Sequence, residues 1–190
     1  MQIILASSSK YRQQLLKNIG IEAICFAPNI DESIHPAETP EHLAERLAVE
    51  KAKAIATKHS GLVIGSDQVA RNNDSILGKP MNAERAFKQL QQCSGQRVDF
   101  ITGLCLINTK SGNIQSCTER FSVVFRHLSD DEIKRYIDIE KPFDCAGSFK
   151  VEGLGISLFE KLEGDDPNSL IGLPLIKLCQ FLRNEGLDFP

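Results

Sequence analysis

Three consecutive serines, Ser7-Ser8-Ser9, follow a short apolar stretch and precede a helical pattern. Backbone N–H groups in the first turn of a helix have no partner within the helix, and together with hydroxyl groups they form a binding site for an anion. Arg12, one turn into that helix, adds a guanidinium that can bind a phosphate through two N–H groups. A serine that only caps the helix and an arginine in solvent fit the same residues, so the loop alone leaves both interpretations open.

Lys51 interrupts the apolar face of a predicted helix. Apolar residues recur at helical spacing on this face, at Ala44, Leu47, Ala48, Ala52 and Ile55. A lysine among them must either extend its ammonium group past the apolar surface into solvent or pair with an anion. The pattern alone does not choose between the two.

Carboxylates occur in two places where they could bind a metal or accept a proton. Asp67 follows the apolar stretch Leu62–Gly65, and we expect it just past the end of a strand, where α/β sheets commonly carry functional groups. Glu32, next to Asp31, lies in a predicted loop. Carboxylate oxygens suit Mg²⁺, and a carboxylate can also take a proton from water. An ordinary turn residue in solvent is the other interpretation of each acid.

Lys79 and two segments rich in small residues complete the candidates. Lys79 stands in Gly78-Lys79-Pro80, a stiff turn that would either hold its cation for a phosphate or expose it to solvent. The segments Asp144–Gly153 and Asn168–Pro174 place glycines next to charged or polar residues, so their backbone can approach a ligand closely. Glycines that serve tight turns only are equally compatible with both segments.

The elements that would position these residues alternate between strands and helices. A short strand at Ile3–Ala6 leads into the serine loop and the first helix, and a helix capped by Thr39 carries Lys51 and reaches about Lys58. The remaining predicted elements are strands at Leu62–Gly65, Val98–Asn108 and Ile114–Phe125, a strand pair between Ala146 and Leu162, and helices that begin after Asn82, Ser129 and Pro174. This order predicts a single domain over residues 1–190 with a mixed α/β (α+β) fold, formed as two lobes around a groove.

The composition limits the class of protein and its partners. A net charge of −3 and a pI near 5.8 argue against a nucleic-acid-binding protein, which usually presents clustered Lys and Arg. The N-terminus has no basic leader and no apolar run has the length of a membrane span, so we expect a cytoplasmic protein that does not enter a membrane. The six scattered cysteines are expected to be reduced thiols. The sequence lacks G-x-x-x-x-G-K-[ST], G-x-G-x-x-G, G-x-S-x-G and H-E-x-x-H. It therefore gives no support to the kinds of site that these motifs mark.

Taken together, the candidate residues resemble the Maf family of nucleotide pyrophosphatases over essentially the whole chain. The shared motifs, in order, are Leu5-Ala6-Ser7-Ser8-Ser9 with Arg12, Asp31-Glu32, Arg46-Leu47-Ala48 with Glu50-Lys51-Ala52, Gly65-Ser66-Asp67, Gly78-Lys79-Pro80, Ser94-Gly95, Thr102-Gly103, Ala146-Gly147 and Gly172-Leu173-Pro174. Any one of these motifs is weak, but their common order makes the resemblance specific.

The resemblance implies an elongated α/β fold of the Maf/ITPase type with a central cleft and a mixed sheet. It also implies hydrolysis of a nucleoside triphosphate between the α and β phosphates, with a divalent metal, Mg²⁺ or Mn²⁺. Carried over to this chain, Asp67 resembles the family's proton acceptor and a metal contact, and Glu32 its second metal contact. The phosphate-binding residues implied in the same way are Ser7, Ser9, Arg12, Lys51 and Lys79. A homodimer is a further expectation from the resemblance.

Tyr11, Gln68 and Glu152 indicate which base would be recognised. With Ser66-Asp67-Gln68, they are similar to the branch of the family that hydrolyses 7-methyl-GTP, whereas the dTTP/UTP branch typically has Asp-Thr after the strand and Gln in place of Glu152. A carboxylate can accept both N1–H and N2–H of guanine, and we expect the Gln68 amide to contact O6. The methylated base is cationic, so stacking on Tyr11 would add about 0.5 to 2 kcal/mol.

Two other functions remain open from the sequence. One is a pyrophosphatase for dTTP and UTP or for noncanonical nucleotides in general, which activity on those substrates would reveal. The other is a nucleotide-binding regulator of septation without turnover, because the family is associated with that process. The presence of Asp67, Lys51 and Lys79 favours turnover.

Overall fold

The computed structural model describes residues 1–73 and 75–188, which form two compact units. Unit 1 comprises Met1–Gln68, Ile101–Glu119 and the described part of Asp166–Pro190. Unit 2 comprises Val69–Phe100, apart from residue 74, and Arg120–Asp165. The division into two parts agrees with the predicted lobes. Within the described ranges, no helix is both long and apolar enough to cross a membrane.

The described residues contain seven strands in one mixed sheet. They are β1 (Ile3–Leu5), β2 (Ile24–Cys25), β3 (Leu62–Asn72), β4 (Ser75–Leu77), β5 (Arg97–Asn108), β6 (Ile114–Phe125) and β7 (Phe159–Glu163). The order is β2-β1-β3-β5-β6-β7, and β4 pairs with β3. β1 is parallel to β2 and β3, whereas β4 is antiparallel to β3 and β7 is antiparallel to β6. The predicted mixed sheet is therefore confirmed.

Helices begin at the capping residues that the sequence predicts. The helices are α1 (Lys10–Asn18), α2 (Pro40–Ala56), α3 (Ala83–Cys93), α4 (Asp130–Glu140), α5 (Pro167–Ile171) and α6 (Leu175–Asn184). Side-chain oxygens of Ser9, Thr39, Asn82 and Ser129 accept a backbone N–H in the first turn of α1 to α4, and Ser129 with Glu132 forms a capping box. Each such cap stabilises its helix by about 1 kcal/mol.

The strand pair predicted between Ala146 and Leu162 is wrong. Residues there form two 3-10 helices, Ala146–Ser148 and Leu154–Leu158, and only β7 follows. Gly147 and Ser148 have φ angles of 75° and 63°, which a β-strand does not allow. Gly147 also lies against Phe100, where an added Cβ would come within 3.1 Å of the ring. The glycine therefore marks a tight turn packed on an aromatic ring.

Helix α2 packs unusually closely on the sheet of unit 1 because two strands carry glycine beneath it. A Cβ on Gly65 of β3 would lie 2.1 Å from the carbonyl oxygen of Ala48, and one on Gly103 of β5 would lie 2.1 Å from that of Ala44. Neither glycine can be replaced by a residue with a side chain unless the helix moves. The glycines thus set the distance between α2 and the strand that carries Asp67.

Unit 2 has its own aromatic core. Phe149 packs edge to face against Phe100, Phe125 and Phe159, with ring centroids 5.2, 5.8 and 4.8 Å away. Edge-to-face pairs contribute about 0.5 to 1.5 kcal/mol beyond the area they bury. Phe149 follows the 3-10 turn at Ala146–Ser148, so this core fixes the start of the segment that carries Glu152.

Candidate active site

Asp67 lies inside strand β3 and not past its end, so that part of the prediction is wrong. The strand continues because the residues after Asp67 pair with β4, as in the pairing of Ala70 with Leu77. The strand was expected to end at Gly65 because polar residues follow it, but these polar residues belong to the strand. The strand is therefore hydrogen-bonded to neighbouring strands both before and after Asp67 in the chain.

The alternation of side chains along β3 directs neighbouring residues to opposite faces. Ser66 Oγ donates to the carbonyl of Gly172 at 2.9 Å, and Gln68 Nε2 donates to the carbonyl of Ser169 at 2.8 Å. The side chain of Asp67 meets Lys51 of α2 instead. Three consecutive polar residues therefore connect β3 to two different parts of unit 1.

The ammonium group of Lys51 binds both predicted metal contacts. Its Nζ lies 2.6 Å from Oδ1 of Asp67 and 2.7 Å from Oε1 of Glu32. The Lys51 side chain is only 9% exposed and that of Asp67 is 14% exposed, whereas that of Glu32 is 59% exposed. Lys51 therefore does not extend into solvent from its apolar face. It joins two carboxylates that are 35 positions apart in the chain.

The serine loop is folded around the guanidinium of Arg12. Ser7 Oγ accepts the backbone N–H of Ser9 at 3.1 Å and Nη1 of Arg12 at 3.3 Å. Ser9 Oγ accepts the backbone N–H of Arg12 at 3.4 Å as the cap of α1. Ser9 thus caps the helix, as one interpretation expected, whereas Arg12 turns inward, half-buried, instead of pointing into solvent. Binding of an anion by the loop stays a prediction.

Arg12 belongs to the same electrostatic group as the two carboxylates. Burial lowers the pKa of its guanidinium from the ordinary value, and the charges of Asp67 and Glu32 act in the opposite direction. Arg12 and Ser66, the neighbour of Asp67 in β3, also donate to the same carbonyl group, that of Gly172. Unit 1 therefore gathers two cations, Lys51 and Arg12, around two anions.

A tight turn at Gly172 anchors this group, and the sequence indicated it only as a segment rich in small residues. The Gly172 carbonyl accepts Nε of Arg12 at 2.7 Å in addition to the hydroxyl of Ser66. Gly172 ends α5 with a φ of 116°, and an added Cβ would lie 3.3 Å from Nε of Arg12. Asp166, 1% exposed, fixes the turn because its carboxylate accepts N–H groups of Asn168 and of Ile176.

The side-chain amide of Gln68 has a fixed orientation. Nε2 is within 3.0 Å of Thr102 Oγ1, 2.8 Å of the Ser169 carbonyl and 3.1 Å of the Leu170 carbonyl. Carbonyl oxygens accept hydrogen bonds only, so the amide cannot be turned around without losing these contacts. Nε2 of Gln68 is therefore already bonded within unit 1. The expectation that the Gln68 amide contacts guanine O6 stays a prediction.

Lys79 and Glu152 belong to unit 2 and are exposed. Lys79 follows β4. Glu152 stands in a turn that Tyr136 and Glu140 hold, since Tyr136 Oη accepts the N–H of Lys150 at 3.1 Å and Oε2 of Glu140 accepts the N–H of Leu154 at 2.8 Å. The turn thus has a fixed shape. The roles of Lys79 and Glu152 toward a nucleotide stay predictions, as does that of Tyr11 on α1 in unit 1.

Comparison with known proteins places the chain among enzymes of one kind. The family model described as Maf-like protein matches residues 2–185. The chain is 57% identical over 188 residues to a 7-methyl-GTP pyrophosphatase of Pseudoalteromonas translucida, covering 98% of this chain and 93% of that protein. Proteins of the same name from Vibrio cholerae and Pseudomonas aeruginosa are 52% and 50% identical and cover 98% and 99% of this chain and 97% and 98% of their own lengths.

Solved structures with a similar fold share little sequence with this chain. The Staphylococcus aureus Ham1 protein has a TM-score of 0.55 at 16% identity, covering 97% of this chain and 100% of that chain. A HAM1 protein from Coxiella burnetii has a TM-score of 0.54, also at 16% identity, covering 97% of this chain and 99% of that chain. At this identity the likeness concerns the fold alone, and it confirms the predicted fold class.

Proposed function

The chain belongs to the Maf family, and from this premise we propose that it hydrolyses 7-methyl-GTP to 7-methyl-GMP and pyrophosphate. Relatives that are 50 to 57% identical along nearly the whole chain carry the name 7-methyl-GTP pyrophosphatase. The observation that carries the catalytic part of the proposal is the contact of one buried ammonium group, that of Lys51, with the carboxylates of Asp67 and Glu32.

The donor atoms of this site fit a divalent metal ion of the Mg²⁺ type. Asp67 and Glu32 each place an oxygen on the same nitrogen, so these two oxygens can be no farther apart than the sum of two hydrogen-bond lengths. No cluster of three acidic, histidine or cysteine ligands occurs among the residues that the structure describes. Mg²⁺ is commonly bound by one or two carboxylates together with substrate phosphates and water. When bound, the ion would neutralise phosphate charge and polarise the phosphoanhydride.

The charges of the site give a reason for requiring an added cation. Lys51 and Arg12 carry two positive charges, which Asp67 and Glu32 balance. A triphosphate brings several further negative charges that these four side chains do not offset. A divalent ion held by Asp67 and Glu32 would offset two of these charges and so would favour binding of the substrate together with the metal.

Asp67 is the residue that we propose takes the proton from the attacking water. Its carboxylate has a fixed direction, because β3 holds the backbone and the Lys51 ammonium binds one oxygen, Oδ1. A general base of fixed position contributes about 10²- to 10⁴-fold to the rate. Attack on the phosphoanhydride breaks the bond between the α and β phosphates, and pyrophosphate leaves.

Arg12, Ser7 and Lys51 are proposed to bind the phosphates. The guanidinium of Arg12 is held through Nε by the Gly172 carbonyl and through Nη1 by Ser7 Oγ, so its orientation is set before substrate binds. Pre-oriented cations stabilise the charge that develops on a leaving phosphate without reorganisation during the reaction. Ser9 and Lys79 are assigned to the same group by resemblance.

Base recognition is proposed to rest on acceptors that face the donors of guanine. The carboxylate of Glu152 accepts hydrogen bonds, and the Watson–Crick edge of guanine offers N1–H and N2–H as donors. Gln68 is assigned to the base by resemblance. Thymine and uracil offer a single N3–H between two carbonyls, so they would set their own acceptors against these oxygens. Tyr11 would stack on the cationic methylated base.

The test of the proposed function is hydrolysis of 7-methyl-GTP, GTP, dTTP and UTP in parallel, with Mg²⁺ or Mn²⁺ and with products identified by mass. The proposal expects 7-methyl-GMP and pyrophosphate, with the highest kcat/KM for the methylated substrate. Preference for dTTP or UTP would refute the base assignment and leave the catalytic one standing. Nucleotide binding without turnover of any substrate would instead support a regulator.

A further inference from the structure

Glu32 depends on other residues for its position, because it lies in the loop between β2 and α2, which has no regular secondary structure. Its side chain is 59% exposed, and its carboxylate pairs with Lys51, a cation that a metal ion would have to displace. A glutamate on a mobile loop would lose much conformational entropy on binding a metal. The loop must therefore be held by something other than Glu32 itself.

Arg46 of α2 binds this loop at two points. Its Nε and Nη2 donate to the two carboxylate oxygens of Glu38, at 2.6 and 2.8 Å, in a bidentate pair. The same Nη2 donates to the backbone carbonyl of Ser33, the residue directly after Glu32, at 2.9 Å. One guanidinium thus joins the far end of the loop and the neighbour of Glu32 to a rigid helix.

The loop is closed by contacts within it. Oε2 of Glu38 also accepts the N–H of His35 at 3.1 Å, and Asp31 accepts the N–H of Ser33 at 2.9 Å. The Glu38 side chain is 8% exposed and that of Arg46 is 19% exposed, so the pair is largely shielded from solvent. Residues 31–38 consequently form one hydrogen-bonded piece fixed to α2 by Arg46.

We infer that Arg46 is a positioning residue, which holds the Glu32 carboxylate beside Asp67 and so prepares the metal contact. This inference rests on the proposed function, in which Glu32 and Asp67 bind the divalent ion. Arg46 touches neither of these carboxylates in its recorded hydrogen bonds, which go to Glu38, Glu50 and Ser33. Lysine cannot replace it, because a single ammonium does not reproduce the fork that binds two carboxylate oxygens and a carbonyl.

Loss of a positioning residue should affect metal affinity and kcat differently. Removal of a residue that orients a metal ligand typically lowers metal affinity by about 10- to 100-fold. Loss of Arg46 should therefore raise the metal concentration needed for half-maximal activity by about tenfold and leave kcat at saturating metal nearly unchanged. A general loss of fold would lower kcat at every metal concentration.

The experiment measures Mn²⁺ binding to the nucleotide-free protein by electron paramagnetic resonance, together with metal-dependent turnover of 7-methyl-GTP. The variants are Arg46→Met, Arg46→Lys, Glu38→Gln, Glu32→Gln and the double variant Arg46→Met/Glu32→Gln. Lys88→Met is the matched control, because it breaks an ion pair with Glu84 in unit 2 on an exposed helix face. Thermal melting identifies any variant that is not folded, and Arg46→Lys and Glu38→Gln are the milder substitutions.

The inference predicts weaker Mn²⁺ binding in Arg46→Met and Glu32→Gln and no further loss in the double variant, since both act on one carboxylate. Wild-type Mn²⁺ affinity in folded Arg46→Met or Arg46→Lys, with Glu32→Gln impaired, would overturn the inference and leave the proposed metal site intact. Losses that add in the double variant would also overturn it. Unchanged Mn²⁺ binding in Glu32→Gln would refute the metal role of Glu32 and the inference together.

Discussion

The ammonium nitrogen of Lys51 lies 2.6 Å from Oδ1 of Asp67, although the helix face that carries Lys51 is otherwise apolar. Burying a charge is unfavourable unless it is paired. Here it is paired twice, because Glu32 binds the same nitrogen. The arrangement makes Lys51 a cation that occupies the space between two prospective metal contacts before substrate arrives.

Replacing Lys51 by methionine should separate metal binding from catalysis. Methionine fits the apolar face of α2, so the protein should fold, but Asp67 and Glu32 lose the cation that competes with a metal for their oxygens. We expect Mn²⁺ to bind at least about threefold more tightly to the nucleotide-free variant. We expect kcat for 7-methyl-GTP to fall by about 100-fold or more, because a phosphate-binding cation is lost.

Calorimetric Mn²⁺ titration and steady-state kinetics check the Lys51 prediction. Lys88→Met serves as the control for loss of a lysine charge, since Lys88 is exposed on α3. Weaker Mn²⁺ binding in folded Lys51→Met would show that Lys51 supports the carboxylates instead of competing for them.

Replacing Gly172 by alanine should weaken substrate binding through Arg12. The φ of 116° strains any residue with a Cβ, and this Cβ would lie 3.3 Å from Nε of Arg12. We expect a loss of stability of about 1 to 3 kcal/mol and a rise in KM, because the guanidinium must shift. Gly186→Ala is the matched control, since Gly186 has a φ of 79° with nothing within 4 Å of an added Cβ. A KM that rises equally in both variants would contradict a specific effect on Arg12.

Replacing Thr102 by valine should change substrate choice through Gln68. Thr102, fully buried, accepts Nε2 of Gln68 and donates to the Ser169 carbonyl at 2.8 Å. Valine has the same shape without the hydroxyl, so we expect a loss of about 1 to 3 kcal/mol of stability and a looser Gln68 amide. The ratio of kcat/KM for 7-methyl-GTP over dTTP should fall by about tenfold. Thr102→Ser, which keeps the hydroxyl, should retain the ratio, and an unchanged ratio in the valine variant would exclude this route.

Stability at low pH should report the pair of Arg46 and Glu38. Hydrogen bonds from Arg46 hold the pKa of Glu38 at about 2, below the ordinary 4.5. Because the folded-state pKa is the lower one, Glu38 stabilises the fold fully above about pH 4.5, and this contribution is lost as the pH falls toward 2. Hydrogen bonds also hold the pKa of Asp99 and that of Glu132 at about 2, so their contributions are lost as the pH falls below their ordinary values of 3.8 and 4.5.

The matching measurement is the melting temperature of wild type and Glu38→Gln between pH 7 and pH 2.5. The difference between them should be largest above about pH 5 and should shrink as the pH falls. Substitution of the exposed Glu160 by glutamine provides a reference without this ion pair. A difference that stays constant across the range would mean that the charge of Glu38 does not stabilise the fold.

Local rules predicted much of the framework from the sequence. Ser9, Thr39, Asn82 and Ser129 cap helices where a short polar side chain precedes a helical pattern. Lys51 was identified as unusual because a charge stood in an apolar stripe, and its partner proved to be the acid singled out on other grounds. Such signals lie within a few positions of each other, so the sequence displays them directly.

The rest of the site depends on contacts between distant positions. Gly172 accepts hydrogen bonds from Arg12 and Ser66, which lie 160 and 106 positions away. No periodic pattern in the sequence predicts such a contact. The orientation of the Gln68 amide follows from carbonyls about 100 positions later, so this orientation could not be derived from the residue type.

The most direct test of the account compares wild type with Asp67→Asn in hydrolysis of 7-methyl-GTP at saturating Mg²⁺, with 7-methyl-GMP and pyrophosphate resolved by mass. Asparagine keeps the shape of Asp67 but cannot take a proton from water. The account predicts folded protein whose turnover is lower by about 10² to 10⁴ while it still binds nucleotide. Turnover within about threefold of wild type would contradict the assignment of Asp67 as proton acceptor, because a general base cannot be replaced by an amide at so small a loss.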